Sequence, residues 1–163
     1  VKAPELHLQN EDGETSPDQH ELQRWIAAAL AEAGFKSDAE LTLRIVGEAE
    51  MKALNGRFRK IDRTTNVLSF AADLPPQLQL PLLGDIVICA PLVAVEAREQ
   101  GKSLAAHWAH LVVHGTLHLL GYDHVDDTEA ELMEQLETTI LGKLDFAAPY
   151  EPLAKTSERP AIP

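Results

Sequence analysis

The sequence predicts a single α+β domain, with a mixed sheet of about four strands and about five helices. Three observations predict it. Four short runs alternate apolar with polar residues or are rich in β-branched ones. Five longer runs carry apolar residues at helical spacing. The 163 residues contain neither an internal repeat nor an interdomain linker, and that length fits one domain with a real core.

The elements follow in order. Leu6 and Leu8 alternate with polar neighbours and predict a short strand, and Glu11 to Pro17 is a polar loop. From Asp18 to Ala33 the apolar positions Leu22, Trp25, Ile26, Ala29, Leu30 and Ala33 predict a helix, with Gly34 suited to its C-terminal cap. Leu41, Leu43 and Ile45 alternate as a second strand. Glu48 to about Phe58 is a helix through Met51, Leu54 and Phe58, and Asn66 to Ala71 (NVLSFA) is a third strand. Leu74 to Leu82, with three prolines, is a loop. Gly84 to Cys89 (GDIVIC) is a fourth strand, and Pro91 suits the first turn of a helix reaching about Gln100. Ser103 is a plausible N-cap for a helix to Leu120, closed by Gly121. Asp126 or Asp127 caps a last helix to about Leu141, with Met133, Leu136 and Ile140 as its buried stripe. The domain spans residues 1–146; residues 147–163 are rich in proline and read as a frayed tail.

Composition narrows the class. At 45% apolar and 25% charged, this is an ordinary globular composition, and the low aromatic content leaves the core to aliphatic side chains. The single cysteine, Cys89, excludes an internal disulfide and fits a reducing compartment. No run is long and apolar enough for a membrane helix, and the first ten residues lack the pattern of a signal peptide. A cytoplasmic protein without membrane contact is expected. Fourteen Lys and Arg against 26 Asp and Glu give a net charge of −12, which by itself argues against a polyanionic partner. The charge is uneven, however. Arg57 to Arg63 (RFRKIDR) is basic, whereas Asp123 to Glu137 holds seven acids and no Lys or Arg. Five of the seven histidines, His107, His110, His114, His118 and His124, fall within eighteen residues. Solvated faces explain charge runs, but they do not explain clustered imidazoles.

The run HGTLHLLGYDH, from His114 to His124, is the informative one. Residues four apart on a helix share a face, so His114 and His118 can point at one ion. Gly121 can take a positive φ and turn the chain, letting His124 return to the same point. Three neutral imidazoles with one open position suit a catalytic zinc site, because the open position holds an activated water. A row of partly buried, hydrogen-bonded helix histidines is the plainer alternative, and the third histidine beyond a glycine weighs against it. The frame matches the zinc-protease motif H-E-x-x-H-x-x-G-x-x-H except at its second position, where Gly115 replaces the general-base glutamate. Peptide hydrolysis is thereby impaired. A phosphodiester, whose cleavage depends on charge stabilisation, is the more suitable substrate.

HGTLHLLGYDH, with RFRKIDRTTNVLSF and LGDIVIC upstream, resembles the YbeY family of bacterial metal-dependent endoribonucleases, the rRNA maturation factors. The resemblance runs from about Leu41 to Leu141. It implies that a metal, usually Zn2+, is held by His114, His118 and His124, and that the family's functional arginine is Arg59. It further implies single-strand RNA cleavage, maturation of the 16S rRNA 3′ end in the small ribosomal subunit, and ribosome quality control. The partners it implies are rRNA, the GTPase Era and a small-subunit ribosomal protein. One departure is Ala71, where the family often carries proline after NVLSF.

Other residues read as follows. Arg59 has a planar donor fork suited to phosphate, with a plain surface cation as the alternative. Arg59 and His114 are the candidate catalytic residues. Arg57, Lys60 and Arg63 read as general phosphate contacts or surface charge. His107 and His110, on the same helix face as His114, read as structural histidines, with support of the ligands or an RNA contact as alternatives. Asp123 either orients an imidazole or a water, or caps its turn. Ser69 follows no nucleophile pattern, and Cys89 and Met133 read as core. The leading expectation is a zinc-dependent endoribonuclease. The rivals are a zinc metallopeptidase, from the shared histidine frame, and a non-catalytic ribosome-assembly factor with a structural metal.

Overall fold

The computed structural model describes residues 3–78 and 80–150. Strand β1 (Glu5–Gln9) leads through helix α1 (Gln19–Glu32) to β2 (Glu40–Val46), and α2 (Glu48–Arg59) leads to β3 (Val67–Ala71). A single 3₁₀ turn, Pro76–Leu78, interrupts the expected loop before β4 (Leu82–Cys89). Helices α3 (Ala90–Glu99), α4 (Leu104–Leu119) and α5 (Asp127–Lys143) complete the described chain. The sheet order is β1-β2-β4-β3, parallel between β1, β2 and β4 and antiparallel between β3 and β4. The sheet is therefore mixed, and β3 lies on an edge.

Local chemistry accounts for the elements. The Asp18 side chain accepts the Glu21 amide at the start of α1, and Ser103 and Asp126 do the same for Ala106 and Glu129 at the starts of α4 and α5. Gly34 takes φ +78° just beyond α1, a conformation that penalises side chains with a Cβ. β4 begins two residues earlier than its β-branched run suggests, because Leu82 and Leu83 extend the ladder beside β2. At Gly84 (φ +141°) an added Cβ would lie 2.1 Å from the Phe70 carbonyl oxygen, so the β3–β4 pairing requires glycine there.

The sheet's two faces differ. Leu41, Leu43, Ile45, Ile86 and Ile88 pack with α1, α4 and α5 in the main core. Each such fully buried aliphatic side chain contributes about 1.5–3 kcal/mol. Val46, Leu68, Val87 and Cys89 form a smaller core on the opposite face with Met51 of α2. Cys89 and Met133 are buried, as expected of packing residues. Helix α4 is the centre of the fold: twelve of its sixteen residues are buried, including His107, His110 and His114. No helix among the described residues is long and apolar enough to cross a membrane. Within the expected tail, Tyr150 stacks edge-on against His110, whereas residues 151–163 lie outside the described residues.

Candidate active site

The last turn of α4 and the turn after it bring three imidazoles together. His114 and His118 lie on one helix face, with Nε2 atoms 3.0 Å apart. Beyond them Gly121 adopts φ +101°, and the chain turns so that His124 faces both. Its ring centroid lies 5.7 Å from that of His114 and 5.3 Å from that of His118. One donor atom from each of the three falls within 4.8 Å of the others. The Asp123 carboxylate accepts the His124 amide at 2.7 Å, so it braces the turn.

His114 is held from behind. Its Nδ1–H donates to Glu137 Oε2 of α5 at 2.6 Å, which leaves Nε2 as a lone pair facing the other two rings. The other Glu137 oxygen accepts from His110 Nε2 at 3.1 Å and from the Tyr150 hydroxyl. Burial pushes the Glu137 carboxyl upward, but the hydrogen bonds from His110 and His114 outweigh it and hold it at about 2. Burial also pulls His110 downward, so it is a neutral donor to a charged acceptor. His118 falls to about 4 through burial and the neighbouring His114 and His124. It is therefore neutral at pH 7, the state in which an imidazole can bind a metal.

The donor set fits a divalent transition metal. Tetrahedral ligation at about 2.0–2.1 Å places ligand nitrogens about 3.3 Å apart, and the His114–His118 spacing needs only a small opening to match. A carboxylate behind a ligating histidine is the usual device for fixing ring orientation and raising basicity.

A cleft of about 360 Å³ opens over these rings, lined by His114, His118, Asp123, His124, Arg59 and the β3 residues Val67, Ser69 and Ala71. Arg59 comes from an earlier element of the chain, on the last turn of α2. There Lys60 ends the helix in the left-handed region (φ 59°), and buried Asn55 anchors the following loop through the Arg63 carbonyl at 2.8 Å. The exposed Arg57, Phe58 and Lys60 surround it, but only Arg59 of the basic cluster lines this cleft.

Gly115 has a packing explanation as well as a chemical one. A Cβ at this position would lie 3.0 Å from Ile86 Cγ2 and 3.2 Å from Ser69 Oγ, and Ser69 donates to the Gly115 carbonyl. Helix α4 lies against the sheet exactly where a protease would carry its glutamate. His107 donates to Glu96, which also accepts from Asn66, in a part-buried network that does not line the cleft. Glu137 was not singled out in the sequence, although it occupies the apolar stripe between Met133 and Ile140. A carboxylate on a buried stripe is the signal that marks it.

An α+β domain with three convergent imidazoles beside an arginine in an open cleft defines a class, that of hydrolases built around a histidine site. Within it, the chain belongs to the YbeY endoribonuclease family. A family model described as Endoribonuclease YbeY matches residues 7–145. The chain is 54% identical over 147 residues to Endoribonuclease YbeY of Pseudomonas entomophila, covering 90% of this chain and 92% of that protein. It is 54% identical over 147 residues to Endoribonuclease YbeY of Pseudomonas putida, with the same coverage. The solution structure of TM1509 from Thermotoga maritima shares the fold, with TM-score 0.56 over 91% of this chain and 99% of that chain, at 24% identity.

Proposed function

We propose that this protein is a zinc-dependent endoribonuclease of the cytoplasm that cuts single-stranded RNA. Its substrate is the 3′ end of small-subunit 16S rRNA, in maturation and ribosome quality control. The observation that carries the reading is the meeting of Arg59 with His114, His118 and His124 in one open cleft. His114, His118 and His124 would hold the ion through their ring nitrogens. When bound, zinc supplies Lewis acidity toward a phosphoryl oxygen and makes water a stronger acid.

The chain's own groups do the rest. Glu137 keeps the His114 proton on Nδ1 and so keeps Nε2 available. The Arg59 guanidinium binds the non-bridging oxygens and stabilises charge growing there as phosphorus becomes pentavalent. Asp123, by bracing its turn, holds His124 within reach of the other two.

The peptidase reading is weaker, since position 115 is a glycine with no general-base side chain, and even a Cβ there would crowd Ile86 and Ser69. A purely structural metal would be closed by a fourth protein ligand, whereas His124 is exposed at the mouth of this cleft. The acidic balance of the chain predicts weak grip on free RNA, so delivery falls to partners: the GTPase Era and a small-subunit ribosomal protein. The test is cleavage of single-stranded RNA by zinc-loaded protein and by His114→Ala, with the product ends identified. Loss of cleavage in the variant is expected. A 2′,3′-cyclic phosphate product would replace water by the ribose 2′-hydroxyl as nucleophile. Zinc-dependent cleavage of casein, lost in His114→Ala, would overturn the reading.

A further inference from the structure

The opposite face of the edge strand carries a second concavity that the histidine site does not use. Strand registers place Thr42, Asp85 and Phe70 in one cross-strand row over β2, β4 and β3. These residues line a groove of about 540 Å³ together with Arg57 and Phe58 from the last turn of α2. Phe58 is 52% exposed, so part of its ring is open to the groove. It is not loose: its ring stands edge-on to Phe70 at 5.1 Å between centroids, and the Arg57 guanidinium lies 5.1 Å from its centroid.

We propose that this groove binds a nucleobase of the RNA strand, a few nucleotides from the bond cut in the histidine cleft. The inference rests on the endoribonuclease reading and adds to it where the flanking strand goes. Two features connect the sites. Along β3, Ser69 faces the histidine cleft while its neighbour Phe70 faces the groove. On α2, Arg59 lines the cleft and Arg57 the groove, so a strand leaving Arg59 reaches Arg57 by rounding the sheet edge.

The groove's chemistry selects a base over a phosphate. Two aromatic rings offer a stacking surface, which any base can use. The groove's charges are mixed: Arg44 is paired with Glu50, and the lining carries one carboxylate, Asp85, as well as Arg57. A second phosphate would meet the Asp85 carboxylate, which repels it. The same carboxylate accepts a hydrogen bond from an exocyclic amine, such as N4 of cytosine, and the Thr42 hydroxyl can serve either donors or acceptors on the base edge. Uracil lacks that amine. The subsite is therefore one for an amino-bearing base, with cytosine favoured over uracil.

Two measurements test this. Cytidine and uridine 5′-monophosphates are titrated into the protein and followed by amide NMR shifts. Cytidine monophosphate is expected to shift the amides of Phe70 and Asp85, uridine monophosphate to do so more weakly, and Asp85→Asn to erase the difference. In parallel, His114→Ala protein is used to measure binding of short single-stranded RNA carrying an abasic site at each position in turn. One position is expected to lose affinity about tenfold. Adding Phe58→Ala should weaken intact RNA by a similar factor and remove the penalty at that position, while Phe58→Tyr restores both. Phe58 is exposed, so its removal leaves the core intact. The proposal is overturned if neither nucleotide shifts groove amides while the enzyme cuts RNA. It is equally overturned if Phe58→Ala changes only the response to ribosomal subunits, which would make the groove a protein-docking surface. Failure of zinc-loaded wild type to cut any RNA, with nucleotide binding in the groove retained, would count against the endoribonuclease reading instead.

Discussion

Replacing Glu137 by glutamine removes one charge and almost no volume from a fully buried position, so its effect isolates the electrostatic role of that carboxylate. In the folded protein the carboxyl lies at about 2, against 4.5 when free. At about 1.4 kcal/mol per unit, the ionised form contributes about 3 kcal/mol to stability at neutral pH. The sign follows from the lowered value: this contribution is complete above pH 4.5 and is lost as pH falls from 4.5 toward 2. For a chain of this size the Glu137→Gln variant should melt about 6–12 °C lower at pH 7. Its stability should also lose the acid-dependent slope in that window. The His118 contribution behaves similarly at higher pH, being lost as pH falls from 6.5 to about 4, and the variant retains it. Zinc affinity, measured by chelator competition, should drop about 10–100-fold, because the His114 ring is no longer fixed by a charged acceptor. Calorimetry from pH 3 to 7 and the zinc titration together form the assay. A variant that melts within a degree of wild type, or binds zinc equally well, would refute the argument.

Three further outcomes are expected. Arg59→Ala should lower kcat for RNA cleavage about 10²–10³-fold, with zinc affinity unchanged in chelator competition, as the loss of a group acting on the transition state requires. Gly115→Glu should destabilise the fold by about 1–3 kcal/mol in urea unfolding, from collision with Ile86 and Ser69, and should not create casein cleavage. RNA binding by His114→Ala should be weak, with a slope of log affinity against log salt no steeper than about −3, since at most Arg57, Arg59, Lys60 and Arg63 neutralise phosphates. Tight binding to random RNA at physiological salt would contradict that count.

Local signals were legible in the sequence, and long-range ones were not. The i, i+4 pair His114 and His118 and the glycine at 121 lie within one helix and its turn, so spacing alone placed them together. The same is true of the cap Ser103 and of Asp126, one of two adjacent aspartates suited to cap the last helix, whereas the capping role of Asp18 emerges only from the structure. Glu137 escaped notice because periodicity shows that a position is buried but not which partner it meets across two helices. Nor can a linear pattern reveal that β4 inserts between β2 and β3, the order that makes β3 an edge with Ser69 on one face and Phe70 on the other. Gly115 was legible as a missing base. Its tight contact with the sheet emerges only when α4 is docked on Ile86.

The bond between Glu137 and His114 also has a temporal meaning. The imidazole belongs to the central helix, but the group that orients it belongs to the last one, so the site is stitched across the domain rather than built within a segment. A nascent or truncated chain ending before residue 137 would contain every histidine of the motif and the arginine as well. It would still leave the His114 ring free to rotate and to take the wrong tautomer. The orientation of the His114 ring is thus complete only once the final helix has docked.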